Sequence, residues 1–202
     1  AYLELAEEME EKDLHYRSVL STRKLQVSGL PVTVEAASDA AEDVKAADLV
    51  RDFLSTGVLA NAMQDILDAV GKGFSACEIL WDTEGKAWYP SSILWRDPRW
   101  FEFDRLDGVT LRLKGENGLP EPLAPAKFIT HVHKSKSGLP IRGGLARPVA
   151  WYYLFKNFGI KSWVQFAQVF GFPLRLGRYD AHATPDEKEK LLRAVRNIAQ
   201  DA

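Results

Sequence analysis

Two histidines are the most direct candidates for chemistry in this 202-residue sequence. His131 and His133 alternate within a segment that has the period of a β-strand, so both imidazoles can lie on one face. Imidazole is a common ligand of zinc and other transition metals. The spacing supplies no third ligand, and no acidic residue follows before Asp180. Two ordinary strand histidines are therefore favoured over a metal-dependent enzyme that uses them.

Phosphate-loop and nucleophile motifs are weaker candidates. Gly71-Lys72-Gly73 has suitable residue types, but it follows a predicted helix and precedes a predicted strand, the reverse of what a phosphate loop needs. Cys77, the only cysteine, lies among apolar neighbours, where a structural thiol is the default. A pair of carboxylates for acid–base catalysis stays possible, although no spacing favours one. The candidates are Glu78, Asp82, Asp97, Glu102 and Asp104. We predict that the chain is not an enzyme and has no metal or cofactor.

The charge of the chain is divided between its halves. The formal net charge is only −2, but residues 1–104 hold 10 basic and 20 acidic side chains, and residues 105–202 hold 16 and 8. Between Glu121 and Asp180 there is no acidic residue. One-sided charge of this kind is typical of a surface that faces nucleic acid or another polyanion. The alternative, that the two halves neutralise each other in the fold, stays open.

A long aromatic helix is predicted over residues 145–171. Residues 151–172 contain nine of the 22 aromatic side chains, and these lie on several faces of the helix. Such a helix must be covered on most sides, which in a chain of this length indicates a neighbouring subunit. Lys156 and Lys161 argue against a membrane span. Stacking of the rings on single-stranded bases is a less favoured alternative.

The remaining patterns predict an α+β fold, with N-terminal helices, a small antiparallel sheet, the long helix, and a final strand and helix. The last helix has a clear start, because Thr184, Pro185 and Glu187 form a capping box with proline at its first position. Helices are predicted over residues 1–29, with Asp13 as an N-cap, 42–56 and 60–71. An extended segment is predicted at 30–34. Strands are predicted over 74–81, 87–95, 100–104, 109–113, 127–133 and 174–179.

Several segments spread over nearly the whole chain resemble the Mu-type portal proteins of tailed phages and prophages. They occur in the expected order, and none of them is a catalytic signature. The matching segments lie at residues 18–24, 73–79, 96–101, 127–133, 144–151, 154–158, 166–173 and 190–194, and the strongest is Gly-Leu-Ala-Arg-Pro-Val-Ala-Trp at 144–151.

The resemblance implies a structural protein of the virion, made in the host cytoplasm and placed at one capsid vertex. It implies a wing-like α+β region at residues 1–143, a stem-like helix at 144–171 and the start of a clip-like region at 172–202. It also implies a ring, usually of twelve subunits, through which double-stranded DNA is packaged and ejected without sequence specificity. The implied partners are the large terminase subunit, head–tail adaptors and capsid proteins. No association with a membrane is implied. Since family members run to about twice this length or more, we expect the chain to be an N-terminal or core fragment.

Two sets of site residues follow from the charge, the aromatic helix and the resemblance. The candidates for contact with DNA phosphates are basic: Lys134, Lys136, Arg142, Arg147, Lys156, Lys161, Arg175 and Arg178. The candidates for a subunit interface are aromatic: Trp151, Tyr152, Phe155, Phe158, Trp163 and Phe166. For the basic residues, salt bridges to acidic residues of a neighbouring subunit stay open as an alternative. A stand-alone nucleic-acid-binding module that uses the basic half is the second hypothesis for function.

Overall fold

The computed structural model describes residues 1–85, 88–171 and 175–197 and confirms the α+β fold. The helices are α1 Tyr2–Lys12, α2 Leu14–Ser28, α3 Ala41–Ser55, α4 Val58–Ile66, α5 Ala69–Lys72, α6 Ala146–Phe170 and α7 Pro185–Asn197. The strands are β1 Phe74–Asp82, β2 Tyr89–Arg96, β3 Phe101–Phe103, β4 Leu111–Lys114, β5 Pro120–Pro122 and β6 Phe128–Val132. Short 3₁₀ turns lie at Pro98–Trp100 and Pro140–Arg142.

The strands form two small antiparallel sheets rather than one. The first has the order β2-β1-β6, and the second has the order β3-β4-β5. Cys77 of β1 lies opposite Trp95 on one side and Ile129 on the other. The third strand of the second sheet, β5, contains two prolines, Pro120 and Pro122. Prolines cannot donate to a ladder but are tolerated in an edge strand, which is the position of β5.

Side-chain caps fix two of the helix starts that the sequence predicts. The carboxylate of Asp13 accepts from the amides of His15 and Tyr16, both at 3.0 Å, and so begins α2. At α7 the amide of Thr184 donates to Glu187 at 2.8 Å, and the amide of Glu187 donates to the Thr184 hydroxyl at 3.4 Å. Both capping predictions are confirmed.

The chain divides into two compact units, Ala1–Leu154 and Phe155–Ala202. The first unit holds three apolar clusters. One joins α1 and α2 to the beginning of α6 through Met9, Leu20 and Tyr153. The other two cover the faces of the first sheet, around Cys77 with α4 and around Phe74 with β3 and β4. The first half of β1 is therefore buried on both faces.

The second unit contains most of α6 and the whole of α7. Within it, the ammonium of Lys188 lies 4.7 Å from the centre of the Tyr179 ring. A β-carbon on Gly177 would lie 3.1 Å from Leu191, so the segment before α7 packs on the apolar stripe of that helix.

Two predicted elements differ from the structure. The helix predicted over 60–71 is interrupted at Leu67 and Asp68 between α4 and α5. Residues 175–179 carry no strand. A strand needs a hydrogen-bonded neighbour, and α6 and α7 offer none in the described part of the second unit. Leu174, the first residue of that predicted strand, lies outside the described residues.

Candidate nucleic-acid and subunit interfaces

Three of the predicted phosphate-contact residues line one cavity in the first unit. Lys136, Arg142 and Arg147 lie around a volume of about 350 Å³ that begins beside the first turn of α6. The other lining residues are neutral: Ser135, Gly143, Gly144, Leu145 and Pro148. We call this the basic cavity. Lys134 lies one residue before the lining and is exposed.

The loop that carries these cations is held against the corner between α5 and β1. The hydroxyl of Ser135 donates to the Gly143 carbonyl at 2.5 Å, and the amide of Leu145 donates to the Val70 carbonyl at 3.0 Å. A β-carbon on Gly144 would lie 2.5 Å from the amide nitrogen of Gly73, so only glycine fits this approach. The sequence identifies the cations by their charge, but it does not show the hydrogen bonds and the close backbone approach that hold their loop in place.

Among the described residues, two of the cations contact neutral groups. The guanidinium of Arg147 lies 5.6 Å from the centre of the Tyr2 ring, and the ammonium of Lys136 donates to the Ser137 carbonyl at 2.8 Å. Burial raises the pKa of Tyr2, and the charge of Arg147 partly offsets that rise. Among the described residues, none of the cavity's cations forms an ion pair with a carboxylate.

The other four phosphate-contact candidates lie in the second unit. Lys156 and Lys161 are exposed on α6. Arg175 is half-buried, and Arg178 is exposed, in the segment before α7. The structure therefore brings together Lys136, Arg142 and Arg147, which the sequence spreads over a dozen positions, and it places the remaining candidates elsewhere.

The six aromatic interface candidates are all exposed in the single chain. Their exposed fractions are Trp151 66%, Tyr152 77%, Phe155 66%, Phe158 56%, Trp163 77% and Phe166 57%. Tyr153, between two of them, is instead buried in the α1–α2 cluster and anchors the beginning of α6. The aromatic residues of α6 thus have two kinds of surroundings in the single chain, exposed and buried, and the sequence pattern alone does not separate them.

A network of buried ion pairs, which sequence reasoning missed, accounts for Lys72. Its ammonium pairs with Asp68 at 2.8 Å and with Glu7, and it lies 5.2 Å from the centre of the Trp95 ring. Burial alone would lower the pKa of Lys72, but the two carboxylates outweigh that effect and raise it. The four-residue spacing of Asp68 and Lys72 on a helix was the available signal.

A second lysine belongs to the same network. Lys24 of α2 pairs with Glu10 at 2.9 Å and with Asp68 at 3.6 Å, and the Trp95 indole donates to Asp68 at 3.1 Å. The network ties α1, α2, α5 and β2 together. Its lysines are neutralised and buried, so they are not available to an external phosphate.

The candidate metal and nucleophile residues form no reactive cluster in the described ranges. His131 and His133 lie near enough to interact, since burial and then the charge of His133 lower the pKa of His131. No group of three or more His, Cys, Asp or Glu that could hold a metal occurs among residues 1–85, 88–171 and 175–197. Burial, with Asp65 and Asp68, raises the pKa of the Cys77 thiol to about 12, which keeps it protonated and unreactive at neutral pH.

The described chain combines an α+β unit, a long helix with exposed aromatic side chains, and a fixed loop that carries three cations. The sequence model of the family described as the portal protein of Mu bacteriophage matches residues 3–202. The chain belongs to this family. Among residues 1–85, 88–171 and 175–197, no helix combines the length and the hydropathy of a membrane-spanning segment.

Two curated relatives agree with that assignment. The chain is 36% identical over 208 residues to the Mu-like prophage FluMu protein gp29 of Haemophilus influenzae. It is 35% identical over 206 residues to the portal protein of Escherichia phage Mu. Each match covers 100% of this chain and 40% of the relative, so the chain spans less than half of the length of the proteins that it matches.

Proposed function

We propose that this chain is part of a portal subunit, a structural component that assembles with copies of itself into a ring for the passage of double-stranded DNA. The observation that carries the proposal is the exposure of α6. Beyond Leu154 the helix holds five aromatic rings that are each more than half exposed: Phe155, Phe158, Trp163, Phe166 and Phe170. Aromatic side chains offer about 150–250 Å² each. Soluble monomers rarely expose apolar patches above a few hundred Å².

The helical period gives α6 two different sides beyond Leu154. Asn157, Lys161, Gln165 and Gln168 recur at spacings of three and four residues and share one polar face. The aromatic rings occupy the remaining arc, which also contains Lys156. In the assembled portal ring, the aromatic side chains would pack against neighbouring copies. The polar face with Lys161 would face the DNA channel. Lys156 lies on the aromatic side, away from this polar face.

Passage of DNA requires phosphate contacts that are numerous and weak rather than base-specific. A ring repeats each lysine or arginine once per subunit, and solvent screens each contact. Within such a subunit we assign residues 1–143 to the wing, residues 144–171 to the stem and residues 172–202 to the beginning of the clip. Terminase, head–tail adaptors and capsid proteins are the proposed partners, at the portal vertex of the virion.

The test compares two exposed tryptophans in the full-length protein. Trp163→Ala removes a ring from the aromatic side of α6, whereas Trp88→Ala removes one of similar exposure, 69% against 77%, from the segment before β2. We expect Trp163→Ala to reduce ring formation at least tenfold in mass photometry, and Trp88→Ala to leave it unchanged. Equal assembly by the two variants would contradict the proposal.

The stand-alone nucleic-acid-binding module has one observation in its favour, because the basic cavity lies entirely within the first unit. It requires the 202-residue chain to bind duplex DNA by itself. For six phosphate contacts, the logarithm of the binding constant would fall with the logarithm of salt concentration with a slope of about −5. A flat or undetectable binding curve would exclude this alternative and leave the portal proposal standing.

A further inference from the structure

The basic cavity carries a charge that no carboxylate among the described residues balances. All three charged residues in its lining, Lys136, Arg142 and Arg147, are cations, and no acidic residue occurs between Glu121 and Asp180. In the same unit, the exposed Arg51 and Arg99 lie against carboxylates at 2.7 Å and 2.6 Å. Arg105 is exposed without an ion pair among the described residues, so what distinguishes the cavity is that three cations line it together. Like charges that gather without a counter-charge repel one another, so the cavity favours an anion.

The position of Arg147 in the first turn of α6 adds to this imbalance. A cation there opposes the helix dipole, which favours negative charge at the N-terminus. The other helices of more than ten residues place a carboxylate in the first turn or at the N-cap: Glu4, Asp13, Glu42 with Asp43, and Asp186 with Glu187. An anion in the cavity would supply the negative charge that the sequence of α6 omits.

The loop cannot relieve the repulsion simply by moving away. The amide of His133 donates to the Gly73 carbonyl at 3.0 Å, and the Ser135 and Leu145 bonds described above fix the loop on both sides of Arg142. Gly144 lies so close to the backbone of the α5–β1 corner that a methyl group would not fit. The three cations are therefore displayed on a preformed support, and a ligand need not order the loop.

We propose that the basic cavity binds one phosphate group, with Arg142, Arg147 and Lys136 as its charged donors. A guanidinium offers paired N–H groups that match two phosphate oxygens, and a lysine adds a point charge. The volume of about 350 Å³ accommodates a phosphate with water. The phosphate is a phosphodiester of DNA or a free phosphate ion. All of these residues lie in Ala1–Leu154, so the site does not depend on ring assembly.

The test measures stabilisation of the 202-residue chain by inorganic phosphate at constant ionic strength, with chloride as the balancing anion. A ligand that binds only the folded state raises the midpoint of thermal unfolding in a saturable way. Arg142→Gln removes a charged donor, and we expect it to weaken phosphate binding at least tenfold. The matched control is Arg105→Gln, an exposed arginine in the turn between β3 and β4, which should leave phosphate binding unchanged.

Both variants should unfold at the wild-type temperature in phosphate-free buffer, because neither arginine has an ion pair in the described structure. An unsaturable response to phosphate, or equal affinity in Arg142→Gln and the parent, would overturn the proposal. A short DNA duplex then distinguishes the two sources. We expect the duplex to displace phosphate from the parent chain and to bind Arg142→Gln more weakly than Arg105→Gln, and this result identifies the DNA backbone as the ligand. Phosphate binding that the duplex leaves unaffected identifies the free ion.

Discussion

The first unit holds two groups of cations that have opposite surroundings. Lys24 and Lys72 are 7% and 2% exposed, and the carboxylates of Glu7, Glu10 and Asp68 neutralise them. Lys136, Arg142 and Arg147 are exposed around a cavity and have no carboxylate partner among the described residues. A buried charge must be paired or it destabilises the fold, whereas an exposed charge can stay unpaired. The first group therefore serves the fold, and the second is available to a ligand.

Removing one charge from each group should give the largest contrast. Asp68→Asn keeps the shape of the side chain but removes the charge that faces both buried lysines, and we expect it to destabilise the chain by about 3 kcal/mol. Arg142→Gln removes an unpaired surface charge and should change stability by less than about 0.5 kcal/mol in phosphate-free buffer. Urea unfolding measures the change in the free energy of unfolding for both variants. Comparable losses in the two variants would show that the groups do not differ as described.

Two glycines, Gly144 in the loop before α6 and Gly159 within α6, should respond oppositely to an added methyl group. Gly144→Ala forces a β-carbon against the backbone of the α5–β1 corner and should destabilise by about 1–3 kcal/mol. Gly159, within α6, has open space around a β-carbon. Gly159→Ala should therefore stabilise the helix by about 0.5–1 kcal/mol, because alanine has the higher helix propensity. Thermal unfolding shows whether each substitution raises or lowers the stability of the chain. A Gly144→Ala chain as stable as the parent would mean that the loop lining the basic cavity is not fixed.

The buried thiol of Cys77 should make the stability of the folded chain depend on pH. Burial and the carboxylates of Asp65 and Asp68 raise the pKa of Cys77 from 9.0 to about 12. The unfolded chain then loses the thiol proton near pH 9 while the folded chain keeps it. The unfolded state binds fewer protons, so stability falls as the pH rises from 9 towards 12, by on the order of 1 kcal/mol per unit.

Cys77→Ala should make this alkaline decline shallower, which urea titrations at pH 8, 9 and 10 would measure. Tyr16, whose pKa burial also raises, contributes in the same direction and stays in both proteins. The difference between the two slopes is therefore the quantity to compare. Parallel slopes would show that the Cys77 thiol ionises as readily in the folded chain as in the unfolded chain.

Much of the fold could be predicted from local patterns. The Asp13 cap, the Thr184–Glu187 capping box and the long α6 depend on neighbouring residues in sequence, and all three are present. The division into two sheets and the edge strand β5 depend on which strands pair over long distances, which local periodicity does not encode. The strand predicted at 174–179 had a suitable composition, but residues 175–179 have no strand partner in the described chain.

The candidate sites were predictable to a different degree. The missing acidic residues between Glu121 and Asp180 marked the basic segment, but one-sided charge does not tell which cations share a cavity. Only the folded loop brings Lys136 to Arg142 and Arg147. The same limit applies to Lys72, since the carboxylate of Glu7 is 65 positions away in sequence and only the docking of α1 on α5 brings it near.

The proposed portal role depends on what covers α6, and electron microscopy of the full-length protein tests this most directly. In the single chain Trp163 is 77% exposed and Phe166 is 57% exposed. We expect a ring in which both side chains are buried against neighbouring copies while Lys161 faces the channel. A ring in which Trp163 and Phe166 stay in contact with water, or a full-length protein that stays monomeric, would contradict it.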